Sequence, residues 1–359
     1  MIAGATPAPL PAQKKWNAMS ILRGLKPVLI ILVSSASIYF VIALGLIASQ
    51  RIQPLPARES LAFASIEPTT AQDPGLTTWR ARDGAALGVR HYPGSQAGPL
   101  VVVVHGSGWH GGGYTALGAS LAEEYGFEVL IPDLRGHGPA PIRRGDVDYI
   151  GQLEDDLADL ILAYGGADRP VYMIGHSSGG GLTIRFAGGA HGDMLDKAVL
   201  VAPFLKYNAP TARKDGGGWS HVLVRRIIGL SMLNAIGIHA LDHLHVIQFR
   251  FPDSVLHGPQ GATATSSYSY RLNTSFAPRA DYLADVARLP PFLLIAGKED
   301  EAFQVEAYEP TLAGASPKGR YMLIEGADHL GILSNGEAHA AIGNFLRAAP
   351  SGVGDGRTD

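Results

Sequence analysis

A run of apolar residues, Val171–Ile174, ends abruptly in the sequence Gly175-His176-Ser177-Ser178-Gly179. Four consecutive apolar residues are typical of a buried parallel strand, and a serine framed by two glycines marks a sharp turn from strand into helix. In such a turn both glycines stand where a side chain would collide with the crossing backbone, while the serine hydroxyl is lifted above the sheet. A glycine-rich turn with an incidental serine also fits this short pattern, so its interpretation depends on the rest of the chain.

Composition limits what else the chain can be. Its 359 residues are 46% hydrophobic and 17% charged, which is enough to bury one large core and to carry an additional segment. A net charge of −3 with no sustained basic run argues against a nucleic-acid partner. The absence of cysteine excludes disulfides, thiolate nucleophiles and cysteine zinc sites.

The segment Pro27–Ala48 contains no charged residue and exceeds the length of about 20 residues that a helix needs to cross a bilayer. The flanking basic residues are Lys14, Lys15, Arg23 and Lys26 before it, and Arg51 and Arg58 after it. The positive-inside rule therefore predicts that residues 1–26 are cytoplasmic and that the rest of the chain faces outward, into the periplasm of a bacterial source. A cleaved signal peptide is the alternative, although its apolar core would be only about 7–15 residues long.

Residues 49–75 contain four prolines and no helical or strand period, which predicts an extended linker. A hairpin follows, with strands Thr77–Arg82 and Ala86–Tyr92 joined through Asp83-Gly84. Apolar runs separated by helical patterns then predict an α/β fold with a mostly parallel, doubly wound sheet. The predicted strands are Leu100–Val104, Phe127–Ile131, Val171–Ile174, Ala198–Val201, Phe292–Ala296 and Tyr321–Ile324.

The serine needs partners, because a serine hydroxyl becomes a nucleophile only beside a general base whose tautomer is fixed by a third group. Side chains that directly follow parallel strands meet at one edge of the sheet. His329 follows the last apolar run and Asp300 the one before it, giving the chain order Ser, Asp, His of nucleophile-elbow enzymes. We therefore predict Ser177 as nucleophile, His329 as base and Asp300 as the acid that orients it. Other carboxylates compete for the acid role: Glu299, Glu301 and Asp328.

Donors for a tetrahedral oxyanion are the remaining requirement. The backbone N–H of Ser178 is one candidate, and the N–H of Ser107 in the loop after Leu100–Val104 is the second. We expect four neighbouring residues to line the substrate site: His105, Gly106, Gly108 and His176.

These motifs, together with Pro132-Asp133-Leu134-Arg135-Gly136-His137-Gly138, stand in the order typical of the α/β-hydrolase superfamily, which the chain resembles from about Leu76 to Leu346. It looks most similar to the capped serine hydrolases of the monoacylglycerol lipase, lysophospholipase and S33 serine aminopeptidase type. Ser178 stands where that branch often has a larger residue such as Met. The resemblance implies an α/β-hydrolase fold with a core at 76–206 and 290–348 and a helical cap inserted at 207–289.

The interval 207–289 is also far longer than an ordinary connection in an α/β unit, which independently favours an inserted cap. Its middle, Ile227–Ile238, is apolar nearly all round, so it must be buried in the cap or meet lipid or acyl substrate, and we expect it above the mouth of the site. Residues 349–359 are predicted to be a disordered tail.

Taken together, the sequence predicts a membrane-anchored serine hydrolase that cleaves carboxylic esters of lipid-like acyl substrates, of monoacylglycerol or lysophospholipid type, through an acyl-enzyme. No cofactor and no metal is required. A peptidase, amidase or thioesterase on the same triad is one alternative, and a noncatalytic binding protein that keeps the fold is another. Oligomeric state has no signature in the sequence.

Two other motifs have weaker interpretations. Gly106-Ser107-Gly108-Trp109-His110-Gly111 is a literal G-x-G-x-x-G after a strand, with Asp133 ending the next strand, and so mimics a dinucleotide-binding unit. His239 and His243 have the i, i+4 spacing of metal ligands, with His245 nearby, but no carboxylate motif accompanies them and a helical cap surface is favoured.

Overall fold

The computed structural model describes residues 18–56, 60–66, 73–95, 98–213 and 217–349, with side chains from residue 25 onward. Eight strands form the main sheet in the order β1-β2-β4-β3-β5-β6-β10-β11, parallel from β4 onward and antiparallel at β1 and β2. The strands are β1 Leu76–Arg80, β2 Ala86–Tyr92, β3 Leu100–Val104, β4 Glu128–Pro132, β5 Val171–His176, β6 Lys197–Val201, β7 Ser220–Val222, β8 His245–Phe249, β9 Ser267–Ser269, β10 Phe292–Gly297 and β11 Gly319–Ile324. The predicted mostly parallel sheet is therefore confirmed, with strand bounds within two residues of those expected.

The helices belonging to the core fall into two groups that pack among themselves, as expected for layers on the two faces of the sheet. One group pairs α2 with α10, and the other joins α3, α4 and α8. Full burial of every residue of β3, β5 and β10 follows from this double cover. The helices are α1 Ala18–Ala48, α2 Thr115–Glu123, α3 Gln152–Ala163, α4 Ser178–Gly188, α5 Val224–Ala235, α6 Asp253–Leu256, α7 Tyr270–Phe276, α8 Tyr282–Arg288, α9 Tyr308–Leu312 and α10 Gly336–Arg347.

The long interval between β6 and β10 is only partly helical. It carries α5 to α8, but also an antiparallel sheet in the order β7-β8-β9. The expectation of a helical cap was wrong in this respect, because strands of three to five residues leave no readable alternation in the sequence. His245 lies on β8, His239 lies in a loop and His243 in a turn, so none of the three is on a helix. Among the described residues, no group of three His, Asp or Glu side chains is arranged to hold a metal ion.

Helix α1 begins the described chain. Its segment Leu25–Ala48 has a mean hydropathy of 2.5 and is long and apolar enough to cross a membrane by length and composition. Near its C-terminal end, however, α1 packs against the cap: Ala43 and Ile47 are buried together with Leu230 and Leu233 of α5. The Tyr39 hydroxyl also donates to the Met232 carbonyl at 2.6 Å.

This contact corrects the predicted place of the apolar segment Ile227–Ile238. The segment lies beside α1, and other cap residues, among them Trp219, Phe251 and Tyr268, contact the loop after β3 instead. An apolar pattern shows that a face is covered but does not identify the element that covers it.

The predicted linker follows α1 and is attached to the body of the protein at several points. Gln53 exchanges hydrogen bonds with the side chain of Gln248, and the Ser65 carbonyl accepts from Ser334 Oγ. Ser65 belongs to a 3-10 turn, Phe63–Ile66. Lys14, Lys15, Arg58 and the predicted tail beyond residue 349 lie outside the described residues.

We expect Gly229→Ala to lower the thermal stability of the full-length protein in detergent, although alanine is the better helix former. A Cβ at Gly229 would lie 2.5 Å from the Ala43 carbonyl oxygen, so α1 and α5 would have to move apart. Overpacking of this kind costs about 1–3 kcal/mol. Gly45→Ala is the matched control, since a Cβ there meets nothing within 4 Å. Calorimetry showing Gly229→Ala to be as stable as the control would contradict the packing of α1 on α5.

Candidate active site

The turn from β5 into α4 has the strained geometry that its glycines suggest. Ser177 has φ 53° and ψ −120°, in the left-handed region that residues with a side chain rarely adopt. A Cβ at Gly175 would collide with the Gly179 carbonyl, and a Cβ at Gly179 would collide with the Val104 carbonyl at the end of β3. Only glycine at both positions lets α4 start this close to the sheet, which lifts Ser177 into a partly exposed position.

Three side chains from separate strand ends meet at this turn. His329 Nε2 lies 3.1 Å from Ser177 Oγ, and His329 Nδ1 lies 2.8 Å from Asp300 Oδ2. The other carboxylate oxygen of Asp300 accepts from the N–H groups of Ala302 and Phe303, at 2.8 and 2.7 Å. These contacts hold the carboxylate in one orientation, so that it accepts from Nδ1–H and leaves Nε2 free to accept a proton from the serine.

Burial and charge act in opposite directions on this pair. Burial alone would lower the pKa of His329, but the Asp300 carboxylate, with Glu301 and Asp328 nearby, raises that pKa above its ordinary value. Burial alone would raise the pKa of Asp300, but His329 and the two N–H donors hold that pKa below its ordinary range. The acid is therefore ionised whenever the histidine acts as a base.

The competing carboxylates have other partners. Glu299 is exposed, and Asp328 Oδ1 accepts from the N–H groups of Leu330 and Gly331. Glu301 accepts from the backbone N–H of His329 and does not reach its ring. Of the four predicted candidates, Asp300 alone contacts the imidazole.

Of the two predicted oxyanion donors, Ser178 directly follows Ser177, and Ser107 directly follows Gly106, which packs on Ser177. Ser178 is the first residue of α4, so its N–H has no acceptor within the helix. In the loop after β3, Gly106 N–H donates to the Tyr114 hydroxyl at 2.8 Å and Gly108 N–H to the Tyr268 hydroxyl at 2.5 Å. Within the described part of the chain, the Ser107 N–H between them makes no hydrogen bond, which leaves it available to a ligand.

Two histidines that we expected to contact substrate are buried. His105 interacts through Nδ1 with the Gly106 carbonyl and accepts at Nε2 from the Leu134 N–H. His176 accepts at Nδ1 from the Tyr114 hydroxyl, since Nε2 must donate to the His329 carbonyl, 3.0 Å away. With both ring nitrogens occupied in each case, neither ring has a nitrogen left to hydrogen-bond a substrate. Burial lowers the pKa of His176 to about 3, so its ring stays neutral.

The two glycines expected at the site serve close packing. A Cβ at Gly106 would lie 3.2 Å from Ser177 Cβ, so this residue backs the serine directly. Gly108 has φ 78°, and a Cβ there would press on Phe251 and Trp219 of the cap. Both residues thus allow the close packing of the loop after β3.

A continuous hydrogen-bond chain results from these contacts. It runs from Gly106 N–H through the Tyr114 hydroxyl and the His176 ring to the His329 carbonyl. This chain fixes the position of the loop after β3, called the oxyanion loop below, relative to the loop that carries His329. The sequence did not single out Tyr114, because a tyrosine in a glycine-rich turn belongs to no recognised motif. Tyr268 in the cap was missed for the same reason.

Aromatic side chains line the region beside the loop after β3. Trp109, Trp219 and Phe251 pack around Phe63, and Trp219 Nε1 donates to Ser107 Oγ at 3.3 Å. A cleft of about 650 Å³ opens beside Phe63 and Trp109. The candidate site thus combines the hydrogen-bonded side chains of Ser177, His329 and Asp300 with a nearby apolar cleft, a combination typical of small-molecule sites.

The G-x-G-x-x-G segment has a structural use in this fold. Gly111 N–H donates to Asp133 Oδ1 at 2.8 Å, and the same oxygen lies 3.1 Å from Arg90 Nη1. Asp133, which a dinucleotide-binding unit would present to a ribose, is buried in these contacts.

Comparison with known proteins agrees with this architecture. The family model described as "Serine aminopeptidase, S33" matches residues 95–333, more than half of the chain. Protein phosphatase methylesterase 1 of Bos taurus is 27% identical over 99 residues, which is 27% of this chain and 26% of that protein. The chain thus spans about a quarter of this relative's length.

Two solved structures show the likeness in three dimensions. Paleococcus ferrophilus monoacylglycerol lipase superposes with a TM-score of 0.53 at 22% identity, covering 72% of this chain and 98% of the lipase. A bacterial membrane phospholipase A gives a TM-score of 0.55 at 17% identity, covering 90% and 98%. At these identities the likeness concerns the fold.

Tyr114→Phe should lower kcat/KM about tenfold while the protein stays folded, because a lost hydrogen bond of this kind costs about 1–1.5 kcal/mol. The change removes one hydroxyl and leaves both Gly106 N–H and His176 Nδ1 without their partner. Tyr125→Phe is the control, since that hydroxyl bonds to Ala340 on the outer helices. If Tyr114→Phe keeps wild-type kinetics, the hydrogen-bond chain does not hold the site.

Proposed function

The chain belongs to the serine aminopeptidase S33 family of α/β-hydrolases, a family of enzymes, and on this premise we propose that it cleaves carboxylic esters of lipid-like acyl substrates at Ser177. The observation that carries the proposal is the hydrogen-bonded array of Ser177, His329 and Asp300, which Glu301 links to a largely apolar cleft. A polar nucleophile next to an apolar cleft suits a substrate with one reactive carbonyl and a hydrocarbon chain.

The chemistry follows from the contacts. Ser177 Oγ attacks the ester carbonyl while His329 Nε2 takes its proton, and the carbonyl oxygen becomes an oxyanion that accepts from the N–H groups of Ser107 and Ser178. Asp300 stabilises the imidazolium that forms. Collapse of the intermediate expels the alcohol, which receives the proton from His329, and leaves an acyl-enzyme. Water, deprotonated by the same histidine, then attacks the acyl group and regenerates the serine.

The membrane enters the proposal through α1. Its apolar segment has the length and composition of a span, and more basic residues precede it than follow it. We propose that α1 is an uncleaved anchor, that the N-terminal segment is cytoplasmic and that the catalytic domain faces outward. An enzyme held at the bilayer meets monoacyl lipids where they reside.

A peptidase function is the second candidate. The family description names an aminopeptidase, and such an enzyme needs an acidic group to hold the free amine of its substrate. The Glu301 carboxylate lines the cleft. A panel of p-nitrophenyl esters against aminoacyl anilides separates the two candidates.

Ser177→Ala should abolish hydrolysis and fluorophosphonate labelling, with a loss on the order of 10⁶ in kcat, as for other triad serines. Ser178→Ala is the matched control: the change removes a neighbouring hydroxyl but keeps the backbone N–H assigned to the oxyanion, so activity should remain near wild type. Labelling that persists in Ser177→Ala would refute the assignment of the nucleophile.

Among p-nitrophenyl esters, kcat/KM should rise from acetate to medium-chain acyl groups, because each buried methylene contributes roughly 0.8 kcal/mol. The series is measured on the full-length protein in detergent. A preference for acetate would mean that the cleft does not receive the acyl chain, and a small-ester substrate would replace the lipid-like one. Faster turnover of the anilides would favour the peptidase.

A reporter fused to the C-terminus should be active only outside the cytoplasm, and alkaline extraction should leave the protein with the membrane. The full-length mass of the membrane-bound form distinguishes an anchor from a processed protein. Release as a shortened soluble species would mean that α1 is a cleaved signal sequence.

A further inference from the structure

The segment Ser60–Ile66 lies outside the region that matches the family model, yet it packs onto the candidate active site. Leu61, Phe63 and Ile66 are buried. The Phe63 ring centroid lies 5.6, 5.5 and 5.2 Å from those of Trp109, Trp219 and Phe251. These three partners belong to the oxyanion loop and the cap, so Phe63 joins the linker to both.

The same segment forms one side of the cleft. Across from it stands the cap segment Pro252–Gln260, with Trp109 and Glu301 also in the lining. Two polar atoms of the lining residues, Ser60 Oγ and Gln260 Oε1, are buried and have no hydrogen-bond partner among the residues described. Apolar walls with two unused hydrogen-bonding atoms are the features of a ligand site.

Glu301 connects this wall to the histidine. Its Oε1 accepts from the Ala62 N–H at 3.3 Å, and its Oε2 accepts from the His329 N–H at 3.0 Å. One carboxylate therefore bridges the backbone of the linker and the backbone of the general base. Asp300 and Glu301 are consecutive residues, so a single turn binds both the ring and the backbone N–H of His329.

We propose that Ser60–Ile66 is the wall of the acyl-chain subsite, with Phe63 as a specificity-determining residue, and that Glu301 is a positioning residue that couples this wall to His329. The inference rests on the proposed function for the identity of the acyl chain. It assigns to the membrane linker a part of the active site that the family-matched region does not supply.

The carboxylates that face His329 differ in their effect. Asp300 contacts the ring, whereas Glu301 and Asp328 act on it through space, and the neutral His176 ring packs against its other side. Removing the charge of Glu301 while keeping its shape should therefore lower the pKa of His329. A residue that only supported the fold would not move that pKa.

Fluorophosphonate labelling of the full-length protein tests this coupling without assuming a substrate. Ser177 Oγ displaces fluoride from phosphorus and its proton passes to His329 Nε2, so the rate follows the neutral fraction of His329. We expect Glu301→Gln to slow labelling about tenfold at the high-pH plateau, the effect of one lost hydrogen bond to a charged acceptor, and to move the acid limb to lower pH.

Glu299→Gln is the matched control, because that carboxylate is exposed and lies two residues earlier. Its labelling profile should equal that of the wild type. An unmoved acid limb in Glu301→Gln, or the same shift in Glu299→Gln, overturns the positioning role.

Alkyl fluorophosphonates of increasing chain length test the wall. Each methylene that packs on the cleft is worth up to about fourfold in rate, and Phe63→Ala should lower the ratio of long-chain to ethyl labelling roughly tenfold. Phe63→Leu, which keeps apolar bulk and guards against misfolding of the alanine variant, should give an intermediate ratio. Phe345→Ala is the control, since that ring packs against Lys197 and Arg320 instead. An unchanged ratio in both Phe63 variants overturns the assignment of the wall.

The outcomes separate this inference from the proposed function. A protein that labels at Ser177 but hydrolyses no ester of the panel loses the proposed substrate, while both labelling tests still decide the role of the linker. A protein that is not labelled at Ser177 loses both.

Discussion

The close crossing of β3, β5 and α4 is the constraint on which the site depends. Gly175 and Gly179 let the backbone of α4 begin in contact with the Val104 carbonyl, and this contact forces Ser177 into a left-handed conformation. A strained residue of this kind persists only where its surroundings determine it fully. Here the buried parallel strands on either side supply that rigidity, and every other element of the site is arranged around the position of one hydroxyl.

Much of this arrangement could be predicted from the sequence, because two rules are local. A short apolar run bounded by turn residues predicts a buried strand, and residues that follow parallel strands meet at one edge of the sheet. These rules were enough to choose Ser177, Asp300 and His329, which the fold brings into hydrogen-bond contact. They favoured Asp300 over Glu301 only by its position in the sequence. What distinguishes the two in the structure is which carboxylate turns towards the His329 ring, and the sequence does not give that orientation.

The contacts that the sequence did not indicate join residues that are far apart in the chain. Tyr114 and Tyr268 reach the oxyanion loop from a turn and from a cap strand, and no pattern marks a tyrosine whose hydroxyl will find a distant N–H. His105 and His176 lie beside reactive positions but turn into the core, where their ring nitrogens hold the backbone. The linker, whose prolines suggested a spacer, contributes Phe63 to the aromatic cluster of the cleft. Each of these depends on a partner far away along the chain.

If α1 is the anchor proposed above, its packing on α5 decides how the molecule meets a bilayer. Every residue of α1 from Pro27 to Ile38 is exposed, and these 12 residues extend about 18 Å, against a hydrocarbon thickness of about 30 Å. A spanning α1 would therefore bring the membrane surface up to α5, whose exposed residues include Val224 and Ile228, with exposed Ile236 directly after the helix. The catalytic domain would then rest directly on the lipid, and the tilt of a single helix would set the angle at which its cleft faces the membrane.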